Sequence, residues 1–499
     1  MEFKARVFDV EQGQNEVALN EQQAKELDLG LLDRVKVRFG KKEVVALVDY
    51  SHSVSRGEIG LFREVSDALG VAKGQAVSVE SARRPPSLDF IRRKLDGEIL
   101  SQPEVSAIIE DLMAERLSPA ELAAFIVGVY TKGMSTEETV SLTNAIYASG
   151  GSLHLKKKPV VSEHSIGGVA GDRCSMLVVP IIASLGLTIP KTCTRAISSA
   201  AGSADAMEVF APVCLSIKDA ERVVDKTGGC LIWGGAVNMA AADDKLIKIR
   251  NPLRLDPKPL LLSSILAKKK AEGAQYVLLD IPIGRSAKVA TVEEARDLAK
   301  DFEALGRYLG MQITCSITDG SEPLMDTIGP ALEARSVLQT LYGGGSPNLA
   351  AKACVMSGVL LSMVRGFTRE EGAKIAKHQL ESGRALEKFK EIVGAQGGKP
   401  DIKPEDIKIG KYVQLVKSKE DGKIAHVDNR NISRICRALG APTDKQAGLI
   451  LKVAKGQKID VGAPLFELYA SSREKLDYGL EQLPRFNIVE IERIIIDVV

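Results

Sequence analysis

Aromatic residues are scarce: Phe, Tyr and Trp make up 4% of a 499-residue chain, and Trp233 is the one tryptophan. Surfaces that stack successive bases of single-stranded nucleic acid need several exposed rings, so that function class is disfavoured. Histidines number five, and the seven cysteines (174, 193, 214, 230, 315, 354 and 436) contain no Cys-x-x-Cys pair. Such spacing fits neither a zinc site nor a secreted disulfide framework, and the thiols read as small buried hydrophobes in a reducing compartment. No sign of charge dominates: 67 Lys and Arg face 65 Asp and Glu, a net +2. With the two signs interleaved, no basic face is offered to nucleic acid, and runs such as Lys156–Lys158 read as solvated. An apolar run of eighteen residues is missing, as is a basic segment followed by an apolar one in "MEFKARVFDVEQG". Neither a membrane span nor a signal peptide is expected, which assigns the chain to the cytoplasm.

What is present is regularly punctuated, and the length suggests about two to four domains. Residues 1–84 hold the runs "FKARVFDV", "VKVRFG", "EVVALVDY" and "AVSVES", separated by turns. Their alternation and β-branching predict a β-rich domain. Pro85 and Pro86 break the pattern. Four segments follow: "SLDFIRRKLDGE", "SQPEVSAIIEDLMAERL", "SPAELAAFIVGVYTKG" and "STEETVSLTNAIYASG". Each opens at a serine, three carry an acid early in the first turn, and apolar residues fall three and four apart; capped helices are predicted. Beyond residue 150 strand-like and helical runs alternate, the signature of a mostly parallel sheet with helices packed on it.

One stretch stands apart. "EHSIGGVAGDRCSM" sets three glycines between the predicted strand "KPVVSE" and the predicted helix "DRCSMLVVPIIASL". Glycines permit positive φ and let N–H groups crowd together, and a helix N-terminus adds unsatisfied donors and partial positive charge. With the hydroxyls of Ser165 and Ser175, this reads as an oxyanion cradle suited to phosphate. It is not a Walker loop, since no Gly-Lys-Ser/Thr closes it. The plainer reading is a connection whose glycines merely pack. Against it stands a second turn of the same kind, "IPKTCTRAISSAAGSADAMEVF". Two such turns on neighbouring parallel strands open on one crevice, where open α/β sheets hold ligands. Further on, Ser264 and Lys268 share one helical face in "LLLSSILAKKKAEG", and Arg285 and Lys288 lie on the loop of "DIPIGRSAKVAT".

These pieces, in this order, resemble the thymidine and pyrimidine-nucleoside phosphorylase family. Its Lys-His-Ser-x-Gly-Gly-Val-Gly-Asp pattern reads here "EHSIGGVAGD", and its arginine-loop-threonine segment reads "RAISSAAGS". Its base-reading Ser-x-x-x-Lys is "SILAK", its Gly-x-Gly-Ala loop is "GRSAK", and "SGRALEKF" and "VGAPLFELYA" match its C-terminal domain. The chain departs at Glu163, where the family carries a phosphate-binding lysine, at Lys288 (an aromatic) and at Ser203 (a threonine). It also adds an N-terminal domain and a distinctive "RNPLRLDPKPLLLSSILAKK". These departures resemble a branch that acts on nucleoside 5′-monophosphates, which phosphate cleaves to free base and ribose 1,5-bisphosphate.

The resemblance implies an α/β fold of the nucleoside phosphorylase type. Its parts would be an all-helical domain (87–155 and 241–272), a mixed, mostly parallel-sheet phosphate-binding domain (156–240 and 273–400), a C-terminal β-rich or α+β part (401–499) and the extra β-rich domain (1–84). It implies AMP, CMP or UMP with inorganic phosphate as substrates, no cofactor or metal, no nucleic acid or membrane partner, and a homodimer or larger homo-oligomer. By residue, Ser165, Ser175 and Ser203 would contact the attacking phosphate beside the Gly167–Gly168 backbone. Thr194, Arg195, Ala196, Ile197, Ser198 and Ser199 would hold the nucleotide, Ser264 and Lys268 the base, and Lys288 the 5′-phosphate. Glu163 would turn away to pair with a basic group. Asp256 would be the general acid, kept protonated by Leu255 and the leucines at 260–262, with His164 the second candidate. The plainer reading of Asp256 is a helix cap ahead of Pro257. Arg250 lies near the family's base-contacting arginine. Three alternatives stay open: a pyrimidine-nucleoside phosphorylase, an anthranilate phosphoribosyltransferase-like enzyme with magnesium at Asp243 and Asp244, and a non-catalytic nucleotide-binding protein.

Overall fold

A computed structural model describes residues 1–196 and 199–492. They fall into two units, Met1–Gly150 with Ala240–Ile265, and residues 151–239 with the described chain from 266 onward.

The first unit opens with six strands: β1 (Glu2–Val7), β2 (Glu16–Leu19), β3 (Arg34–Phe39), β4 (Lys42–Tyr50), β5 (Glu58–Leu61) and β6 (Ala76–Ser81). They close a barrel in the order β1-β5-β2-β4-β3-β6. Alternation explains the closure. Phe3, Ala5, Val35, Val37, Val77 and Val79 point inward while Lys4, Arg38 and Ser78 stay outside. A closed barrel leaves no unpaired strand edge. Arg34 ties it to the helices by donating from Nε to the Arg116 carbonyl (3.0 Å) and pairing with Glu121 (2.5 Å).

Helices Gln102–Met113, Pro119–Lys132 and Thr136–Ala148 begin at the predicted serines. Ser118 Oγ accepts from the Glu121 N–H while the Glu121 carboxylate accepts from the Ser118 N–H, and Ser135 and Glu138 repeat the exchange. Glu138 also takes Lys94 Nζ and the Leu100 N–H, both at 2.8 Å, so one carboxylate caps a helix and anchors a buried ion pair. Helix Ser87–Asp96 departs from expectation. Pro86, already at helical φ, holds the cap position, and buried Ser87 is the first residue inside. Helices Ala241–Leu253 and Lys258–Ala271 follow later in the chain.

The second unit is built on parallel strands β7 (Val161–Ser165), β8 (Ile189–Cys193), β9 (Gly229–Trp233), β10 (Tyr276–Ile283) and β11 (Gln312–Asp319). β7 is flanked by β10, with β11 beyond, and touches β8 through the single bridge Val160–Thr188, with β9 beyond. The chain therefore runs outward from β7 through β8 and β9, then returns to the other side of β7. That reversal is the switch point at which open α/β sheets hold ligands, beyond the strands' carboxyl ends. Helix Ser175–Ser184 is buried along its core face, with Met176, Leu177, Val178, Val179, Ile181 and Ile182 at zero exposure. Each such side chain contributes about 1.5–3 kcal/mol. Helix Pro347–Arg365 is apolar and long enough to span a membrane by composition. Its Leu349, Ala353, Met356 and Leu360 lie in the same core, however, and Lys352 makes buried ion pairs with Asp172 (2.9 Å) and Asp280 (2.7 Å).

A C-terminal part pairs antiparallel strands Tyr412–Lys417, Pro464–Ala470, Gly448–Leu451 and Thr327–Ile328, and sets Gly422–Val427 between Lys458–Ile459 and Val489–Glu492. Helix Asn429–Ala438 lies over its core. All seven cysteines are free thiols; five are buried and Cys214 is exposed. Burial pushes the Cys193 thiol up to about 11 and Cys230 up to about 12.

Candidate active site

The tip of β7 is the loop 166–174, bent by Gly167, Gly168 and Gly171, all at positive φ. Gly168 is needed twice over. Its φ is 100°, and a Cβ there would sit 2.8 Å from the Lys288 backbone nitrogen. The loop that carries Lys288 thus lies directly on the cradle, and Lys288 itself is exposed. Asn429 pins both loops. Its Oδ1 accepts from the Ala170 N–H (2.8 Å), and its Nδ2 donates to Ser286 Oγ (3.1 Å) and the Gly320 carbonyl (3.2 Å). Arg430 next to it donates to the carbonyls of Ser286 (3.2 Å) and Ala287 (3.0 Å). Arg285, on the same loop, pairs with Glu490 at 2.8 Å on the surface.

The tip of β8 carries the second loop, necked by Asp205. Its Oδ2 accepts from the N–H groups of Ala196 (2.8 Å) and Gly202 (2.9 Å). Arg195 does not point a free guanidinium at a ligand. It holds Glu208 through two hydrogen bonds (2.9 and 2.7 Å) and Asp205 through another (3.1 Å), and stacks 4.9 Å from the centre of the Trp233 ring. The Arg195 hydrogen bonds, with Lys445, hold the Glu208 carboxyl down at about 2. Ser199 spends its proton on the Ala201 carbonyl (3.0 Å), while Thr194 is exposed and Ser203 partly so. Ile197 and Ser198, two expected contacts, lie outside the described residues. Arg173 joins the two loops, donating to the Ala201 carbonyl at 2.5 Å from a buried position beside Glu333.

Beneath the loops lies a buried layer of charge. Glu163 accepts the Ser175 hydroxyl proton (2.5 Å), with Lys191 at 3.4 Å, so it does pair with a basic group. Glu272, fully buried, accepts from Lys269 (2.7 and 2.9 Å), Ser162 Oγ (2.6 Å), and the N–H (3.0 Å) and hydroxyl of Thr192. Half-buried His164 is held well below its usual 6.5, first by desolvation and then by Lys191, Lys269, Lys268 and Lys288. At neutral pH it is the uncharged imidazole, which disfavours it as a proton donor. Because its folded pKa is depressed, the unfolded chain alone takes up this proton as pH falls through 6.5, so the group costs stability below that pH and nothing above it. In protein labelled with ¹⁵N-histidine, the His164 ring titrates well below the free-imidazole value, and protonation near that value would contradict the assignment.

Two expected residues belong to the first unit. Asp256 lies between helices Ala241–Leu253 and Lys258–Ala271, its side chain is 46% exposed, and its Oδ1 accepts from Arg250 Nη1 at 2.5 Å. The apolar surroundings expected to keep it protonated are therefore not there. Asp256 is exposed although Pro257 and Leu260 after it are buried. Ser264 is buried and donates to Asp243 Oδ2 at 2.7 Å. Among the described residues no group of three or more His, Cys, Asp or Glu is placed to hold a metal ion. Lys191, Arg173, Asp205, Asn429 and Arg430 escaped the sequence reading. A lysine inside the apolar strand "TIPKTC" was the one local signal.

Residues 88–150 match the helical bundle domain of the glycosyl transferase family, 157–386 its a/b domain, and 423–485 the pyrimidine nucleoside phosphorylase C-terminal domain. A solved anthranilate phosphoribosyltransferase from Thermus thermophilus shares the fold over 62% of this chain and 100% of its own, with a TM-score of 0.53 and 20% identity. Full-length similarity is closer. The AMP phosphorylase of Pyrococcus abyssi is 47% identical over 100% of this chain and 99% of its own, and that of Thermococcus kodakarensis is 44% identical over 99% of each. AMP phosphorylase 1 of Archaeoglobus fulgidus is 41% identical over 96% of this chain and 95% of its own. With its glycine loops at the switch point and this likeness from end to end, the chain belongs to the AMP phosphorylase family.

Proposed function

We propose that the chain catalyses phosphorolysis of nucleoside 5′-monophosphates, AMP and phosphate giving adenine and ribose 1,5-bisphosphate. The observation that carries this reading is the pair of loops at the tips of β7 and β8, bridged by Arg173 and lying over a lysine-lined floor. A dianionic nucleophile and a phosphorylated sugar both need such donors. A phosphate oxygen forms the bond to the anomeric carbon as the bond to the base nitrogen breaks. Holding nucleophile and carbon together supplies up to about 7 kcal/mol or more of the barrier in ideal cases.

In this reading Ser165, Ser175, Ser203 and the Gly167–Gly168 amides face the nucleophile, and the 194–199 segment and Lys268 face the nucleotide. Arg195 acts as a positioning residue that holds its loop. Asp256 supplies the proton that adenine needs to leave as a neutral base. At rest its Oδ1 accepts from Arg250 Nη1. Ser264 meets the base once it exchanges its bond to Asp243. Inorganic phosphate is the second substrate and no cofactor enters. The enzyme is read as a cytoplasmic homodimer or larger homo-oligomer.

Incubation with AMP, adenosine and thymidine, each with and without phosphate, tests the proposal. Adenine released from AMP only with phosphate supports it, and turnover of nucleosides alone contradicts it. Lys288→Ala weakens AMP by about 10- to 100-fold, the range of a charge-assisted bond, and leaves adenosine unchanged. Equal loss for both would remove Lys288 from the 5′-phosphate.

A further inference from the structure

Glu163 lies on β7 just before the glycine loop, and its side chain is 1% exposed. Ser175, the first residue of helix Ser175–Ser184, donates its hydroxyl proton to Glu163 Oε2 at 2.5 Å. Lys191 stands 3.4 Å from that oxygen and donates to the Glu163 main-chain carbonyl at 2.5 Å. A serine hydroxyl has one proton and two lone pairs. Here the proton is held by a buried carboxylate in a charge-assisted bond, stronger than a neutral one. What Ser175 keeps for a ligand is acceptor capacity. Turning the proton outward would strip a buried carboxylate oxygen of a partner, and such losses are costly.

Taking Ser175 as a phosphate contact, as proposed above, we infer that the Glu163–Ser175 pair makes the cradle selective for oxyanions that carry a proton. Inorganic phosphate keeps a P–OH throughout the neutral range and donates it to Ser175 Oγ, leaving its bare oxygens for the Gly167–Gly168 amides. Arsenate does the same. Sulfate has no proton to give, so one of its oxygens meets the lone pairs of Ser175. Discrimination then comes from a repulsive contact built against the wrong ligand. A lysine at this position would leave the serine free to donate and the cradle indifferent to the ligand's proton. Glu163 thus sets anion specificity by acting through Ser175.

Calorimetric titration of the full chain with inorganic phosphate, arsenate and sulfate tests this without any variant. Phosphate and arsenate bind within about 3-fold of each other, and sulfate at least about 30-fold more weakly, the scale of an unmatched buried hydrogen bond. Ser175→Ala removes the acceptor, so phosphate weakens by about 10-fold while sulfate, freed of the repulsive contact, binds more tightly. Sulfate binding as tightly as phosphate to the unaltered chain, or equal loss of both anions in the variant, overturns the inference. Adenine release from AMP, followed in parallel, reads the broader proposal separately. Discrimination without phosphate-dependent release removes phosphorolysis alone; release without discrimination removes the selectivity alone.

Discussion

Asp256→Asn stops purine release: the turnover of AMP with phosphate falls by about 10²- to 10⁴-fold, the usual worth of a positioned acid. AMP affinity, in contrast, changes little. The separation follows from where the side chain lies. It is 46% exposed, so no core cavity opens, and the asparagine oxygen can still accept from Arg250 as Asp256 Oδ1 does at 2.5 Å. What the variant lacks is the carboxyl proton. Adenine is the discriminating base, because protonation at a purine ring nitrogen turns a poor leaving anion into a neutral one. Initial rates and equilibrium AMP binding on the same preparation decide the matter. Collapse of binding makes Asp256 a binding residue, and undiminished turnover places the acid elsewhere.

Glu272→Ala lowers the stability of the second unit by about 3–5 kcal/mol, the cost of breaking a buried pair from one side. Burial already pulls the Lys269 ammonium below its ordinary range, and the carboxylate of Glu272 is what opposes that. Removing it strands a cation with no access to water and takes the acceptor from Ser162, on β7, and from Thr192, on β8. Those two strands share one backbone bridge, at their far ends, so the carboxylate is also a polar bolt between them. Chemical denaturation reads the loss directly. Glu272→Leu combined with Lys269→Met recovers much of it, because well-packed apolar groups often replace a buried pair without cost. A double variant as unstable as the single one would show that the hydrogen bonds to the strands matter more than the charges.

The architecture was legible where short-range rules govern. Ser118 with Glu121, and Ser135 with Glu138, announced helix starts within four residues, and the glycines at 167, 168 and 171 announced a loop that needs positive φ. Ser87 misled because Pro86, one residue earlier, already had the helical φ. The loops of the site were legible too, but not what their side chains are committed to. Arg195 read as a ligand contact, yet its charge is taken by Glu208, which the fold brings back against it. Ser264 and Ser175 spend their protons on Asp243 and Glu163 for the same reason. Asp256 was expected among leucines, but the leucines that follow belong to the next helix and face inward, leaving the carboxylate outside. Hydrogen-bond partners separated by a dozen residues or by hundreds leave no trace in local spacing.

Asn429 and Arg430 come from the last fifth of the chain, yet they hold the loops that follow β7 and β10, with Asn429 lying 259 residues from its partner Ala170. A ribosome makes the loops long before it makes their clamps. A nascent chain can therefore assemble its sheet and helices while its pockets stay unset. Competence arrives late and all at once, and an incomplete polypeptide has no means of drawing on the nucleotide pool.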